Sequence, residues 1–212
     1  MNKPKTLILS GNLYNENKLV LKELKIEFLP NKVYALIGKN GSGKSTLIKS
    51  VFGLDNAKID KRFYGKTNLE SLKIDEIARL GISITYQEPP VIKNVSYKLL
   101  DNILKTNLDS IFPGKSINYK ISGGEKKLSE IKQLISLKPN IIFLDELDSG
   151  VDVKSLKQMC LELLKIPNAT FVIVSHSGEI FKYLKPQSCY VIDKQTIKIQ
   201  DFDEYKRELK NK

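Results

Sequence analysis

The chain has 212 residues, 41% hydrophobic and 28% charged, with a formal net charge of +11. That length supports one domain, residues 1–212, with a sizeable core, and no apolar run approaches the roughly 20 residues that a membrane-spanning helix needs. The lysines are scattered singly and form no basic stripe interleaved with aromatics, so the charge reads as a solvated surface, and neither direct nucleic-acid contact nor membrane insertion is expected.

In chain order, LKIEF (24–28) alternates apolar and polar residues like a half-exposed strand, and VYALIG (33–38) reads as a strand covered on both faces. A helix follows over 44–52. From about 88 the chain becomes more polar, with a helix over 95–104, and a second helix at 123–137 opens on Ser-Gly-Gly-Glu. This interruption of the strand–helix rhythm predicts an inserted helical subdomain over about 88–137, between core segments 1–87 and 138–212. IIFL (141–144) and FVIVS (171–175) are two more buried strands, and Leu156, Met159, Leu163 and Leu164 give 153–165 a helical period. Short strands alternating with helices argue an α/β fold with a largely parallel sheet. The N-terminus MNKPKTLILS shows no leader pattern, and Cys160 and Cys189 lie in apolar contexts without metal-ligand spacing. Both point to a reducing cytoplasm.

The strand at 33–38 runs into GKNGSGKST (38–46), which satisfies G-x-x-x-x-G-K-[ST] between a buried strand and a helix. Gly38, Asn40, Gly41, Ser42 and Gly43 let successive backbone N–H groups turn towards phosphate oxygens, and the helix opening at Lys44, Ser45 and Thr46 adds its dipole. Lys44 is expected on the β- and γ-phosphates of ATP and Ser45 on Mg²⁺. The second buried strand ends in Asp145 and Glu146. Adjacent carboxylates at a strand end point to different sides, so Asp145 can hold Mg²⁺ through its water shell while Glu146 orients or deprotonates the attacking water. Asp152 precedes a helix and resembles an N-cap, and Ser122 with Glu125 fits a capping box that leaves the N–H groups of Gly123 and Gly124 approachable.

Ser122–Glu125, one helix, a turn and a strand ahead of Asp145, resembles the signature loop of the ATP-binding-cassette (ABC) ATPases. Further positions match the family pattern: Tyr14 as the aromatic against adenine, Gln87 as the Q-loop glutamine, Ser149–Asp152 as the D-loop, and His176, the only histidine, as the switch residue. The resemblance implies a P-loop NTPase fold with an N-terminal antiparallel β region and a short inserted helical subdomain. It also implies a head-to-tail homodimer with ATP and Mg²⁺ sandwiched between Lys44, Ser45, Gln87, Asp145, Glu146 and His176 of one copy and Ser122–Glu125 of the other. Gln87 is implied as a Mg²⁺ ligand, and Glu146, His176 and Gln87 as the catalytic residues.

Within the family, ISGGEKKLSEI and LDELDSGVD depart from the usual transporter forms and resemble the SufC branch, which serves SUF iron–sulfur cluster assembly; Glu130 and Ile131 extend that match. This implies a SufB/SufD-like scaffold as partner, with the nucleotide-binding subunit of a membrane transporter as the alternative. Lys39 stands where the family often has Pro, SGEIF (177–181) lacks the aromatic and basic residues usual in the branch, and the 34 residues from 88 to 121 are a short insertion. Asp148 is an acid that the hydrolysis chemistry does not obviously need.

Overall fold

The computed structural model describes residues 3–210. Strands β1 (Leu7–Asn15) and β2 (Lys18–Phe28) form an antiparallel hairpin whose Leu7, Leu9, Leu13, Leu21, Leu24, Ile26 and Phe28 face inward. β2 begins well before the LKIEF run because the alternation is broken at Glu23, whose φ of 53° accompanies a register shift. β3 (Val33–Gly38) and helix α1 (Lys44–Phe52) have the bounds that their sequence patterns suggest. β4 (Ala57–Tyr64) and β5 (Thr67–Asn68) complete a four-stranded sheet in the order β2-β1-β4-β5. Helix α2 (Ile74–Arg79) leads into β6 (Ile82–Thr85).

The next stretch is less helical than expected. It holds the ribbon β7 (Ile92–Ser96) and β8 (Ser116–Ile117) around one helix, α3 (Tyr97–Leu104). Ser96 accepts from Leu99 N at 3.2 Å and so starts α3 as an N-cap, later than the pattern over 95–104 suggests. A small core of Tyr97, Leu108, Phe112 and Ile117 holds this unit together, and Asn118, at φ 58°, exchanges two hydrogen bonds with the Tyr97 hydroxyl at 3.0 Å.

Helix α4 (Gly123–Leu137), β9 (Ile141–Asp145), helix α5 (Val153–Leu163) and β10 (Thr170–Val174) follow, then the hairpin β11 (Ser188–Asp193) and β12 (Thr196–Asp201) and helix α6 (Phe202–Lys210). The main sheet runs β12-β11-β3-β10-β9-β6, parallel throughout except for the edge strand β12. Its central strands carry near-continuous apolar runs, VYALI, IIFL and FVIV, because both faces are covered. Ile141, Phe143, Val172 and Val174 pack with α1 and the N-terminal sheet, whereas Ile142, Leu144, Phe171 and Ile173 pack with α4 and α5. Phe28 joins the two sheets, meeting Tyr34, Phe143 and Tyr190 edge-on at centroid distances of 5.2, 5.8 and 5.4 Å. Among the described residues, no helix is long and apolar enough to cross a membrane.

Candidate active site

The parallel register puts the carboxyl ends of β3, β6, β9 and β10 along one edge of the sheet, where open α/β sheets bind ligands. Four sequence segments far apart in the chain therefore meet there: the glycine-rich loop after β3, Gln87 after β6, Asp145 and Glu146 at the end of β9, and His176 after β10. Above them opens a cleft of about 860 Å³, lined by residues 39–46, Glu146 and His176, by the β1–β2 turn with Leu19 and Val20, and by the β11–β12 turn at Asp193–Gln195.

The loop owes its shape to two left-handed glycines, Gly41 at φ 74° and Gly43 at φ 105°. A side chain at Gly43 would also collide with Val20, whose Cγ1 lies 2.6 Å from the position of a Cβ. The Lys44 ammonium folds back and donates to the carbonyls of Gly38 at 2.8 Å and Lys39 at 3.1 Å. Burial lowers its pKa, while Glu146 and Asp145 act in the opposite direction. Burial also raises the pKa of Asp145, helped by the Glu146 charge and opposed by a hydrogen bond from Ser45 and by the lysine charges.

Among the described residues, Asp145 Oδ1 and Ser42 Oγ are buried without a hydrogen-bond partner. Ser45 hydrogen-bonds the Asp145 carboxylate, and the orphaned oxygen of that carboxylate fits a hard cation such as Mg²⁺, which takes few protein ligands. No group of three or more His, Cys, Asp or Glu side chains is gathered for a metal among the described residues.

Glu146 is held at both oxygens. Gln87 Nε2 donates to Oε2 at 2.8 Å, and His176 Nε2 lies 2.7 Å from Oε1. Its backbone is left-handed, φ 54°, a cost for a non-glycine residue that is often found at functional positions. The turn that carries it is pinned from α4: Lys127, only 4% exposed, donates to the carbonyls of Glu146 at 3.1 Å, Leu147 at 3.2 Å and Ser149 at 2.6 Å. Asp148 accepts hydrogen bonds from the hydroxyls of Ser175 and Ser177, the two neighbours of His176. The acid that looked superfluous in the sequence thus clamps the segment that presents the histidine. Asp152 caps α5 through Ser155 N at 3.0 Å.

Not every singled-out residue joins this cleft. Ser122 and Glu125 close a capping box, Ser122 N donating to Glu125 Oε2 at 2.7 Å and Glu125 N to Ser122 Oγ at 3.3 Å. With Gly123 and Gly124 they line a different cleft of about 460 Å³, facing Gly150–Asp152. A Cβ at Gly123 or Gly124 would meet no heavy atom of the described residues within 4 Å, so their packing does not require a glycine at either place. Tyr14 also lies outside the main cleft's lining: it pairs with Leu19 and Lys58 across its sheet, and Asn15 and Glu16, just beyond it, reach the cleft instead.

No sequence pattern pointed to Lys127 or Asp148 as supports of the site. Both act through backbone carbonyls or hydroxyls distant in the chain, and the one available signal was that they fall where the sequence departs from the usual transporter motifs.

The sequence profile of the ABC transporter family matches residues 21–149. The iron-sulfur cluster assembly protein SufC of Plasmodium berghei is 32% identical over an alignment covering 85% of this chain and 58% of that protein, so the chain spans about three-fifths of that relative's length. The probable ATP-dependent transporter SufC of Escherichia coli is 30% identical, with 84% of both proteins covered. A nucleotide-free ATP-binding cassette from an ABC transporter superposes with a TM-score of 0.72 at 23% identity, covering 97% of this chain and 95% of that one, which establishes the fold. The chain belongs to the ABC transporter family, as an ATP-binding cassette resembling SufC.

Proposed function

We propose that this chain binds ATP over the phosphate loop and hydrolyses it, and that two copies closing head to tail around nucleotide drive conformational change in a SufB/SufD-like scaffold during iron–sulfur cluster assembly. The observation that carries the hydrolytic reading is the Glu146 carboxylate, fixed by Gln87 and His176 at the mouth of a loop that carries a folded-back lysine.

In this reading the N–H groups of Asn40–Thr46 cradle the phosphates, and Lys44 exchanges the Gly38 and Lys39 carbonyls for phosphate oxygens. Ser45, Asp145 and Gln87 hold Mg²⁺, which when bound neutralises phosphate charge. Glu146 orients the attacking water and accepts its proton, and His176 and Gln87 keep the carboxylate aimed. The base lies against the β1–β2 turn, where Leu19 and Val20 line the cleft and Tyr14 stands one residue from Asn15. Ser122–Glu125 serve the nucleotide of the second copy: the amino end of α4 is a site for anions, and its two glycines leave room for close approach.

The cluster itself belongs on the scaffold. Burial pushes the Cys160 thiol up to about 12 and the Cys189 thiol up to about 11, so neither supplies a thiolate at neutral pH. The setting is the cytoplasm, with no direct contact to nucleic acid and no insertion into the membrane. A second reading, the nucleotide-binding subunit of a membrane transporter, is favoured by the family matched and by the name of the Escherichia coli relative. Affinity capture of the tagged chain from native extract separates the two. A soluble, iron-carrying scaffold supports the first reading, and a protein with several membrane spans overturns it in favour of the second.

A further inference from the structure

Glu130 lies one turn along α4 from Lys127, with its side chain against the loop that carries Gln87. Its Oε1 accepts a hydrogen bond from Tyr86 N at 3.0 Å, immediately before Gln87 in the chain. Among the described residues, its Oε2 is buried without a partner. A buried carboxylate with one unused oxygen is costly, and a helix surface facing a loop could be apolar at less cost. Packing therefore does not account for a glutamate here, whereas its single bond does something specific.

Residues three apart on a helix share a face. From that face Lys127 grips the carbonyls of the Glu146 turn, and Glu130 grips the backbone of the Gln87 loop. The two side chains they carry, Gln87 and Glu146, are bonded to each other at 2.8 Å. α4 thus holds both ends of the Gln87–Glu146 pair, and the same helix begins with Ser122–Glu125 at its amino end.

We propose that Glu130 is a positioning residue for hydrolysis: through Tyr86 N–H it fixes Gln87 against Glu146, so that a displacement of the amino end of α4 is felt at the hydrolytic carboxylate of the same copy. This rests on the ATPase reading above and adds to it a route by which engagement of one copy's signature loop alters that copy's own site. The Tyr86 N–H needs an acceptor, not a charge. A side chain of equal length without an acceptor therefore releases the loop, and the amide of glutamine keeps it.

The test compares Glu130→Met, Glu130→Ala and Glu130→Gln in steady-state ATP hydrolysis, with thermal melting to confirm folding and hydrogen exchange read over residues 82–91. Because misplacing a reacting group by about 1 Å can cost up to 100-fold, kcat should fall about tenfold or more in the Met and Ala variants. KM for ATP should stay within about twofold, and the Tyr86 amide should lose protection; Glu130→Gln should restore kcat to within about threefold of the parent. Should the Ala variant fail to fold, Met against Gln decides. An unchanged kcat in Glu130→Met, an equal loss in Met and Gln, or a loss confined to KM overturns the proposal. Glu146→Gln run alongside separates the two levels. Parental turnover in that variant overturns the ATPase reading itself, whereas an inactive Glu146→Gln beside an unaffected Glu130→Met overturns only the role of Glu130.

Discussion

Replacing Asp148 by alanine removes the acceptor for the Ser175 and Ser177 hydroxyls and frees the segment that presents His176. Hydrogen bonds to a charged group contribute about 1.5–3 kcal/mol each, and these two are partly exposed, which favours the lower figure. If about 1.5 kcal/mol of the ordering of His176 against Glu146 is lost in the transition state, turnover falls by roughly tenfold. Among the described residues Asp148 bonds to Ser175 and Ser177 and not to the phosphate loop, so ATP affinity should stay within about twofold, the pattern of an interaction that acts in the transition state. Steady-state hydrolysis combined with titration of a fluorescent ATP analogue measures both quantities. A collapse of nucleotide affinity with turnover per bound ATP unchanged would instead place Asp148 in nucleotide binding.

Three further expectations follow from particular contacts. Lys44→Ala should weaken ATP binding by about tenfold or more while leaving the melting temperature near the parental value, since its present partners are loop carbonyls that solvent can reach; equal affinity by calorimetry would argue against its assignment. Arg62, 8% exposed, donates to the carbonyls of Ser50 at 2.7 Å, Val51 at 2.8 Å and Glu70 at 3.3 Å, and so closes the carboxyl end of the phosphate-loop helix. Arg62→Ala should cost about 2–4 kcal/mol in urea unfolding by leaving those acceptors short of a donor. Burial raises the Glu130 pKa from 4.5 to about 7, against the opposing influence of Tyr86 N–H and Lys127. Between those two values the folded chain keeps a proton that the unfolded chain has released, so stability falls as pH rises through the window and levels off above about 7. Glu130→Gln should therefore gain stability relative to the parent by up to about 3 kcal/mol between pH 4.5 and 8, and a difference independent of pH would count against the burial argument.

Much of this was legible in the sequence where chemistry or burial is local. β3, β9 and β10 announced themselves because strands covered on both faces leave unbroken apolar runs, and the phosphate loop because its glycines are required by backbone geometry. β1 and β4 were harder to place individually: their register shifts between Ser10 and Leu13, which spoils the alternation. Residues 88–121 read as helical because a ribbon as short as β7–β8 has no periodicity of its own; the buried Tyr97–Asn118 pair organises it across 21 positions. The supports of the site were illegible for the same reason. Lys127, Glu130 and Asp148 bind backbone or hydroxyl groups brought near only by the strand order, and no spacing rule encodes that.

We propose that Ser122–Glu125, which line a cleft separate from that of their own phosphate loop, complete the site of a second copy. The most direct measurement is the mass of Glu146→Gln in solution by light scattering, with and without ATP. The mass should double only with ATP, revert slowly because hydrolysis is blocked, and fail to double when Ser122 is replaced by a bulky residue such as Phe. A variant that binds ATP fully and remains a monomer, or a dimer indifferent to Ser122→Phe, would contradict it.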